Sequence, residues 1–448
     1  MRFRSIHKGL LLLIVGGLAA CTSGLSKEEL MRPEACQSCH PEHYRQWAGS
    51  MHAYAALDPV FLAMNKRGQR ETNGALGDFC VKCHAPMALR TGATTDGLNL
   101  EEVPSHLKGV TCYFCHQVDE VTGDHNAQLS LADDGVMRGG IDDPVENTAH
   151  ASQYSGLHDR NNIDSAKLCG TCHDIVTQNN VHLERTYKEW QATLFANDTP
   201  GEKLTCSNCH MRGSPGVVAD YEGVVQRRVH DHSMPGVDVA LTDFFEIEAQ
   251  RELIQAELDN TLLAQLCVYT TTTGVDVDYT LENVAAGHAW PSGAAHDRRV
   301  WTELIAYQGE NIIFQSGVLS PQQTLSELAD PQLWRLGDFA YDASGAPAHF
   351  FWEVDRVESV QLPGQAARQP TDPGWVNTHI TRRYRIERRP DRIVAKVHIR
   401  ALGRDVVQDL VDSGDLDAII LDRIPQFTLK KTVLEWTSEE IFPCVPNR

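Results

Sequence analysis

Cys-x-x-Cys-His occurs five times in this chain of 448 residues: Cys36-Cys39-His40, Cys80-Cys83-His84, Cys112-Cys115-His116, Cys169-Cys172-His173 and Cys206-Cys209-His210. Two thiols one helical turn apart can add to the two vinyl groups on one edge of a porphyrin. The adjacent imidazole then lies under the ring and binds its iron. This is the attachment pattern of c-type haem. With 13 Cys and 20 His, chance supplies about 0.02 such motifs over this length. Structural zinc uses pairs of Cys pairs, and five is odd. A thioredoxin-like pair would occur once, beside a strand. Disulfides do not require an invariable two-residue gap. The expected cofactor is therefore haem c, five copies, covalently held.

Ten cysteines are thereby used, leaving Cys21, Cys267 and Cys444. Cys267 and Cys444 stand far downstream and are expected to pair as one disulfide in an oxidising compartment, or else to be buried thiols. Beyond the five motif histidines and His7, fourteen histidines remain for the iron's second axial position. His43 and His52 lie on a helix-favourable stretch, Glu42 to Tyr54. His125, His150, His158 and His182 flank the third and fourth motifs, and His230 and His232 follow the fifth. Methionine is the rival ligand and raises the potential. Met51, Met87, Met211 and Met234 lie near motifs, but histidine is the more abundant.

The segment from Ala35 through Cys36 and His40 to Trp47, with Ser50-Met51-His52-Ala53, resembles the opening of the cytochrome c-552/4 family of multihaem cytochromes. Gly109-Val110-Thr111-Cys112 to His116, followed by Gly123-Asp124-His125, resembles its third haem segment. The similarity spans roughly residues 33–175. It implies that His52 crosses to the third haem opposite His116, and that His125 serves the fourth opposite His173. It also implies that a downstream histidine, His230 or His232, serves the first. The second haem of the family's tetrahaem type member has no distal protein ligand, which would leave the haem at His84 open. The fifth motif departs from the tetrahaem pattern, so no ligand near His210 is carried over.

The elements that must position these groups divide by composition. The motif starts are spaced by 44, 32, 57 and 37 residues, too irregular for a solenoid. So little chain per haem predicts short helices, long loops and haems that form much of the core. The expected fold is mixed. A mainly α-helical and irregular pentahaem domain over 33–235 leads through a bridging helix at 239–266 to a β-sandwich-like domain at 267–448. Apolar residues from Leu241 to Leu258 at three- and four-residue steps give the helix. Hairpins are expected at Val300–Tyr307 with Asn311–Val318, and at Arg383–Arg388 with Ile393–Ile399. A last strand is expected over Phe427–Trp436. Within the β domain, Asn283 to Gly293 contains Gly287-His288-Ala289-Trp290-Pro291-Ser292-Gly293. It resembles the Gly-His-x-x-Pro-Thr/Ser-Gly segment of β domains attached to multihaem cytochromes. His288 is either an imidazole that reaches a haem from the sandwich or a hydrogen-bonded turn residue.

Residues 1–21 read as an export signal, with Arg2, Arg4 and Lys8 before the apolar run Gly9 to Ala20. Leu18-Ala19-Ala20-Cys21 resembles a lipobox, in which Cys21 is acylated. Thr22 is not the Asp that retains lipoproteins at the inner membrane of enteric bacteria. The expected location is exported, periplasmic or at the cell surface, with the outer membrane favoured over the inner and the membrane reached through the lipid anchor. A net charge of −20 disfavours nucleic acid. The expected function is an electron-transfer protein with mostly bis-histidine haems, in respiratory or extracellular electron transfer. Its partners would be redox proteins, either other cytochromes or quinol-oxidising complexes. The alternative is a reductase of nitrite, hydroxylamine, nitric oxide or a sulfur oxyanion at one open haem. No Cys-x-x-Cys-Lys variant is present to mark such a centre. Cys21→Ser is expected to move the protein from the membrane to the soluble fraction. Immunoblotting of fractionated cells checks this, and a variant still found in membranes would contradict acylation.

Overall fold

The computed structural model describes residues 24–446; the export segment 1–21 and Cys21 lie outside the described residues. Among the described residues, no helix is long and apolar enough to cross a membrane. Up to about residue 235 the chain consists of short helices, 3-10 turns and two-stranded ladders of three or four residues. The motifs themselves write this pattern. Cys112–Gln117 and Cys206–His210 are helices of one to two turns that begin on the first thiol. Thr111 caps the first of these by accepting a bond from Phe114 N, and Thr205 with Asn208 forms a capping box on the second. The motif histidine closes the turn: the backbone N of His40, His84 and His173 donates to the carbonyl of the first Cys in each motif, at 2.8, 3.2 and 3.1 Å. The stretch after the first motif is two helices, Pro41–Ala48 and Met51–Tyr54, broken at Gly49-Ser50, where Ser50 caps the second.

Helix Ile247–Thr261 leads directly into the β domain, whose first strand starts at 262. In chain order the strands are β1 Leu262–Thr270, β2 Val275–Asn283, β3 Arg299–Gln308, β4 Asn311–Ser316, β5 Arg335–Tyr341, β6 Arg356–Val360, β7 His379–Ile386, β8 Arg392–Arg400, β9 Gln426–Thr428, β10 Leu434–Thr437 and β11 Cys444–Pro446. One sheet has the order β7-β2-β1-β11. The other runs β6-β5-β3-β8-β9, with β4 on β3 and β10 on β8. Alternation along β2, with Val275, Val277, Tyr279 and Leu281 buried, sends one face inward. These side chains share a core with Val300, Leu304 and Ala306 of β3 and with Ile393, Ala395, Val397 and Ile399 of β8. Ile254 and Leu258 of the helix close one side of that core.

The β3–β4 hairpin forms as expected across Gln308-Gly309-Glu310. The second expected hairpin does not form. β7 pairs with β2 and β8 pairs with β3, so the chain crosses from one sheet to the other between them. Pro390 cannot donate a ladder bond, and Asp391 N instead bonds Tyr307 O of the second sheet. The expected last strand is two, β9 and β10, parted by a 3-10 turn at Lys430–Thr432. The two halves of the chain are packed together. Val60, Ala63 and Met64 of helix Pro59–Glu71 share a core with Phe350, Val406, Val407 and Leu410. A Cβ on Gly68 would meet the Trp352 ring at 2.7 Å, and Arg70 pairs with Asp415 at 2.6 Å.

Cys267 and Cys444 stand directly opposite on β1 and β11 and are joined as a disulfide. It closes a loop of 177 residues, which constrains the unfolded chain. Cys267→Ala/Cys444→Ala is expected to lose about 2–4 kcal/mol of stability in the β domain. The loss is read as a lower denaturant midpoint by tryptophan fluorescence, with the haem absorption in native buffer unchanged.

Candidate haem-binding site

Four of the five motif imidazoles are oriented in the same way. Nδ1 of His40, His84, His116 and His210 bonds the carbonyl oxygen of Val218, Ala55, Arg138 and Pro235, at 2.6, 3.0, 2.5 and 2.8 Å. A carbonyl only accepts, so Nδ1 carries the proton and Nε2 keeps its lone pair. That is how proteins prepare an imidazole to ligate a metal through Nε2. Burial lowers the pKa of His40, His84, His116 and His173, which keeps them neutral. The donor set therefore fits haem c at five attachment sites.

Two imidazoles that share one iron have a definite separation. Each metal–nitrogen bond is about 2 Å and each ring centre lies about 1.1 Å beyond its nitrogen, so the centres stand about 6.2 Å apart. Three motif histidines face a second ring at such a distance: His40 and His150 at 6.3 Å, His116 and His232 at 6.5 Å, and His173 and His52 at 6.2 Å. The facing rings are also held by Nδ1. His150 bonds Ala151 O at 3.2 Å, His232 bonds His230 O at 3.0 Å, and His52 meets the Met234 sulfur at 3.0 Å. Burial brings His52 down to about 4 and His232 well below its usual value. His158 also stacks on His116, but at 5.5 Å, with Nε2 on Cys115 O at 2.8 Å; its ligating nitrogen is engaged.

These placements differ from those implied by the resemblance. His52 faces His173 of the fourth motif rather than His116. Its backbone explains the turn: Val110 N bonds His52 O at 2.9 Å, and Gly109, at φ +71°, leaves no room for a Cβ, which would meet that oxygen at 2.6 Å. The peptide thus lies on the third motif while the ring points away from it. His125 is not opposite His173. Its Nδ1 meets Asp124 at 2.7 Å, its Nε2 meets Gln128 at 3.2 Å, and its ring lies 6.4 Å from His182. The loop after it is bound to the fourth motif and the strand that follows, through Ala127 N to Thr171 O, Asn126 N to Asp174 O and the Asn126 side chain to Val176. Among the described residues no motif histidine has a ring contact with His230; Arg160, Arg228 and Asp159 are charges beside it. His232 faces the third motif rather than the first. Two rings face His40 of the first motif, His150 stacked at 6.3 Å and His43 edge-on at 5.9 Å; His150 stands in Thr148-Ala149-His150-Ala151, where no spacing marks it.

The second and fifth motifs are different. No imidazole faces His84 among the described residues; the Phe61 ring is stacked on it at 4.1 Å, within 4° of parallel. Glu184 lies close enough to Cys83 to act on it electrostatically, and burial pushes that carboxyl up to about 7. His288 of the β domain lies near enough to His210 for its charge to act on it. Thiols of different motifs lie near one another: Cys36 beside Cys112, Cys83 beside Cys172 and Cys169 beside Cys206. Cys115 lies near enough to Cys169 to raise its own pKa. The first site is thus beside the third, the third beside the fourth, and the fourth beside the second and the fifth.

Comparison with known proteins agrees with the five haem-attachment motifs. Residues 35–117 match the family model described as cytochrome c554 and c-prime. The fold is similar to that of a penta-haem cytochrome c552 from Thermochromatium tepidum, with a TM-score of 0.64 and 21% identity, covering 91% of this chain and 99% of that one. No curated protein matches. Five attachment motifs and this architecture define the class, a multihaem c-type cytochrome. Within it, the stretch that contains the first three motifs is similar to the cytochrome c554 family.

The ring pairs make distinct assignments. His52→Ala and His232→Ala are each expected to convert one low-spin haem to high spin, and the double variant two. Electron paramagnetic resonance and carbon monoxide titration count them. A double variant with one converted haem would mean that both residues serve the same iron.

Proposed function

We propose that this protein is an exported lipoprotein that relays electrons through five covalent haems, most of them ligated by two histidines. The observation that carries the reading is the set of three facing imidazole pairs, His40/His150, His116/His232 and His173/His52, separated by the width of one iron. Bound haem supplies a ferric/ferrous couple that takes up and releases one electron. The chain's part is to close the iron. A neutral imidazole on each face leaves no position for substrate, and Nδ1 bonds hold the rings without reorganisation when the charge changes. The closeness of thiols from different motifs supports transfer between the sites. Their order supports a path from the first site through the third to the fourth, with the second and fifth attached there.

The lipobox supports anchoring through Cys21, and export matches the haem motifs, because covalent attachment and a disulfide both belong outside the cytoplasm. The acidic surface suits partners with basic faces, such as other cytochromes or a quinol-oxidising complex. Mass spectrometry of the mature protein is expected to show five haem masses. Potentiometric titration is expected to take up five electrons, and the reduced protein to be reoxidised by an added cytochrome without steady turnover of nitrite or hydroxylamine. Four haems or fewer would contradict the load. Sustained turnover of either compound would contradict the carrier and place the chemistry at the second site, where no imidazole faces His84 among the described residues.

A further inference from the structure

The segment Gly287 to Gly293 is a loop of the β domain that reaches into the haem-binding half of the chain. Its far end is fixed there. Ser292 Oγ donates to Glu189 Oε2 at 2.6 Å and lies 2.7 Å from Thr186 Oγ1, which also accepts from Gly293 N at 2.9 Å. Thr186 and Glu189 belong to the helix Thr186–Gln191. That helix is in turn tied to the fifth motif, since Trp190 Nε1 bonds Leu204 O at 2.9 Å, one residue before the capping Thr205. The near end of the loop is fixed from the β side: Asn283 Nδ2 donates to His288 O at 2.8 Å, and Gly364 packs on that same carbonyl. Gly287, at φ +70°, packs on Phe195, whose carbonyl accepts from Leu204 N at 3.1 Å.

Between these anchors stands His288. Its Nδ1 bonds Ala289 O at 2.7 Å, which fixes the proton there and leaves Nε2 unprotonated. No partner bonds Nε2 among the described residues. His210 of the fifth motif is near enough for its charge to act on His288. Among the other histidines, His125 has Asp124 and Gln128 as partners, His398 has Glu303 and Thr428, and His349 has Asp409. His288 shares with the three facing rings an Nδ1 tied to an acceptor and an unbonded Nε2, and no imidazole ring faces His210 among the described residues.

We infer that His288 is the second axial ligand of the fifth haem, delivered across the domain boundary, so that docking of the β domain completes the fifth site. The inference rests on the haem-relay reading and deepens it at one site. The β domain then sets the spin state and the potential of the haem at one end of the chain of sites, and loosening its loop alters that haem alone.

The test uses the full-length holoprotein. His288→Gly is expected to retain five haems by mass and to show one more high-spin haem than the parent by electron paramagnetic resonance. Added imidazole should return that haem to low spin. His288→Met is expected to keep it low-spin, with a sulfur-to-iron charge-transfer absorption and a raised potential. Ser292→Ala, which leaves the imidazole in place, is expected to keep the spin count but to let carbon monoxide bind one haem more readily. An unchanged high-spin count in His288→Gly, or a His288→Met protein without the new absorption and with unaltered potentials, overturns the ligand assignment while the relay stands. If the parent itself lacks five haems, the relay reading fails instead. A His288→Gly chain that does not accumulate leaves His288→Met and Ser292→Ala to decide.

Discussion

A Cys-x-x-Cys-His turn supplies a haem iron with one ligand, and an iron held by two histidines, as proposed for most of these sites, needs a second in line. The rest of the molecule follows from that shortfall. The helical turn that brings two thiols to one edge of the ring also commits its histidine to one face. The opposite face has to be served from elsewhere in the chain. His150 lies 110 residues from His40, and His232 lies 116 from His116. Such distances prevent the haem half from folding as a succession of local units. They also account for its short helices: the chain must leave each turn quickly and arrive at another haem as loop or cap.

The order in which the tautomers are fixed is part of this design. In the ring pairs, Nδ1 is tied to a neighbouring backbone oxygen, or in His52 to a thioether, and the ligating nitrogen is left with its lone pair. Burial acts in the same direction by disfavouring imidazolium. Both effects come from the protein alone, so the ligands are set before iron is considered. His173 is the exception, with no Nδ1 partner among the described residues; the facing His52 is fixed in its place.

What was legible in the sequence divides along the same line. The five attachment sites are local chemistry with a fixed spacing, and no tertiary information is needed to find them. The β domain was legible from alternation, and the β3–β4 hairpin from its short turn. The partners of the iron were not. Resemblance singles out His52, but the motif histidine it faces depends on the way Gly109 and Val110 grip its carbonyl, and a sequence does not carry that. His125, which the resemblance assigned to the fourth haem, has its ring on Asp124. His150 has no marker of any kind. The same limit applies to β7 and β8, whose patterns are those of strands but whose partners lie in two different sheets because of Pro390 and Asp391.

The contacts among the motif thiols give the five sites a connectivity as well as a proximity. Considered as a graph, the fourth site touches three others, and the first, second and fifth are leaves. The fourth is a cut vertex: without it the second and fifth have no edge to the first and third, whereas loss of the second leaves every other connection intact. Damage at Cys169, Cys172 or His173 therefore divides the network into three pieces, and damage at Cys80, Cys83 or His84 removes one node. The five identical motifs are equal in chemistry and unequal in position, and the tolerance of each to mutation should follow its degree in that graph.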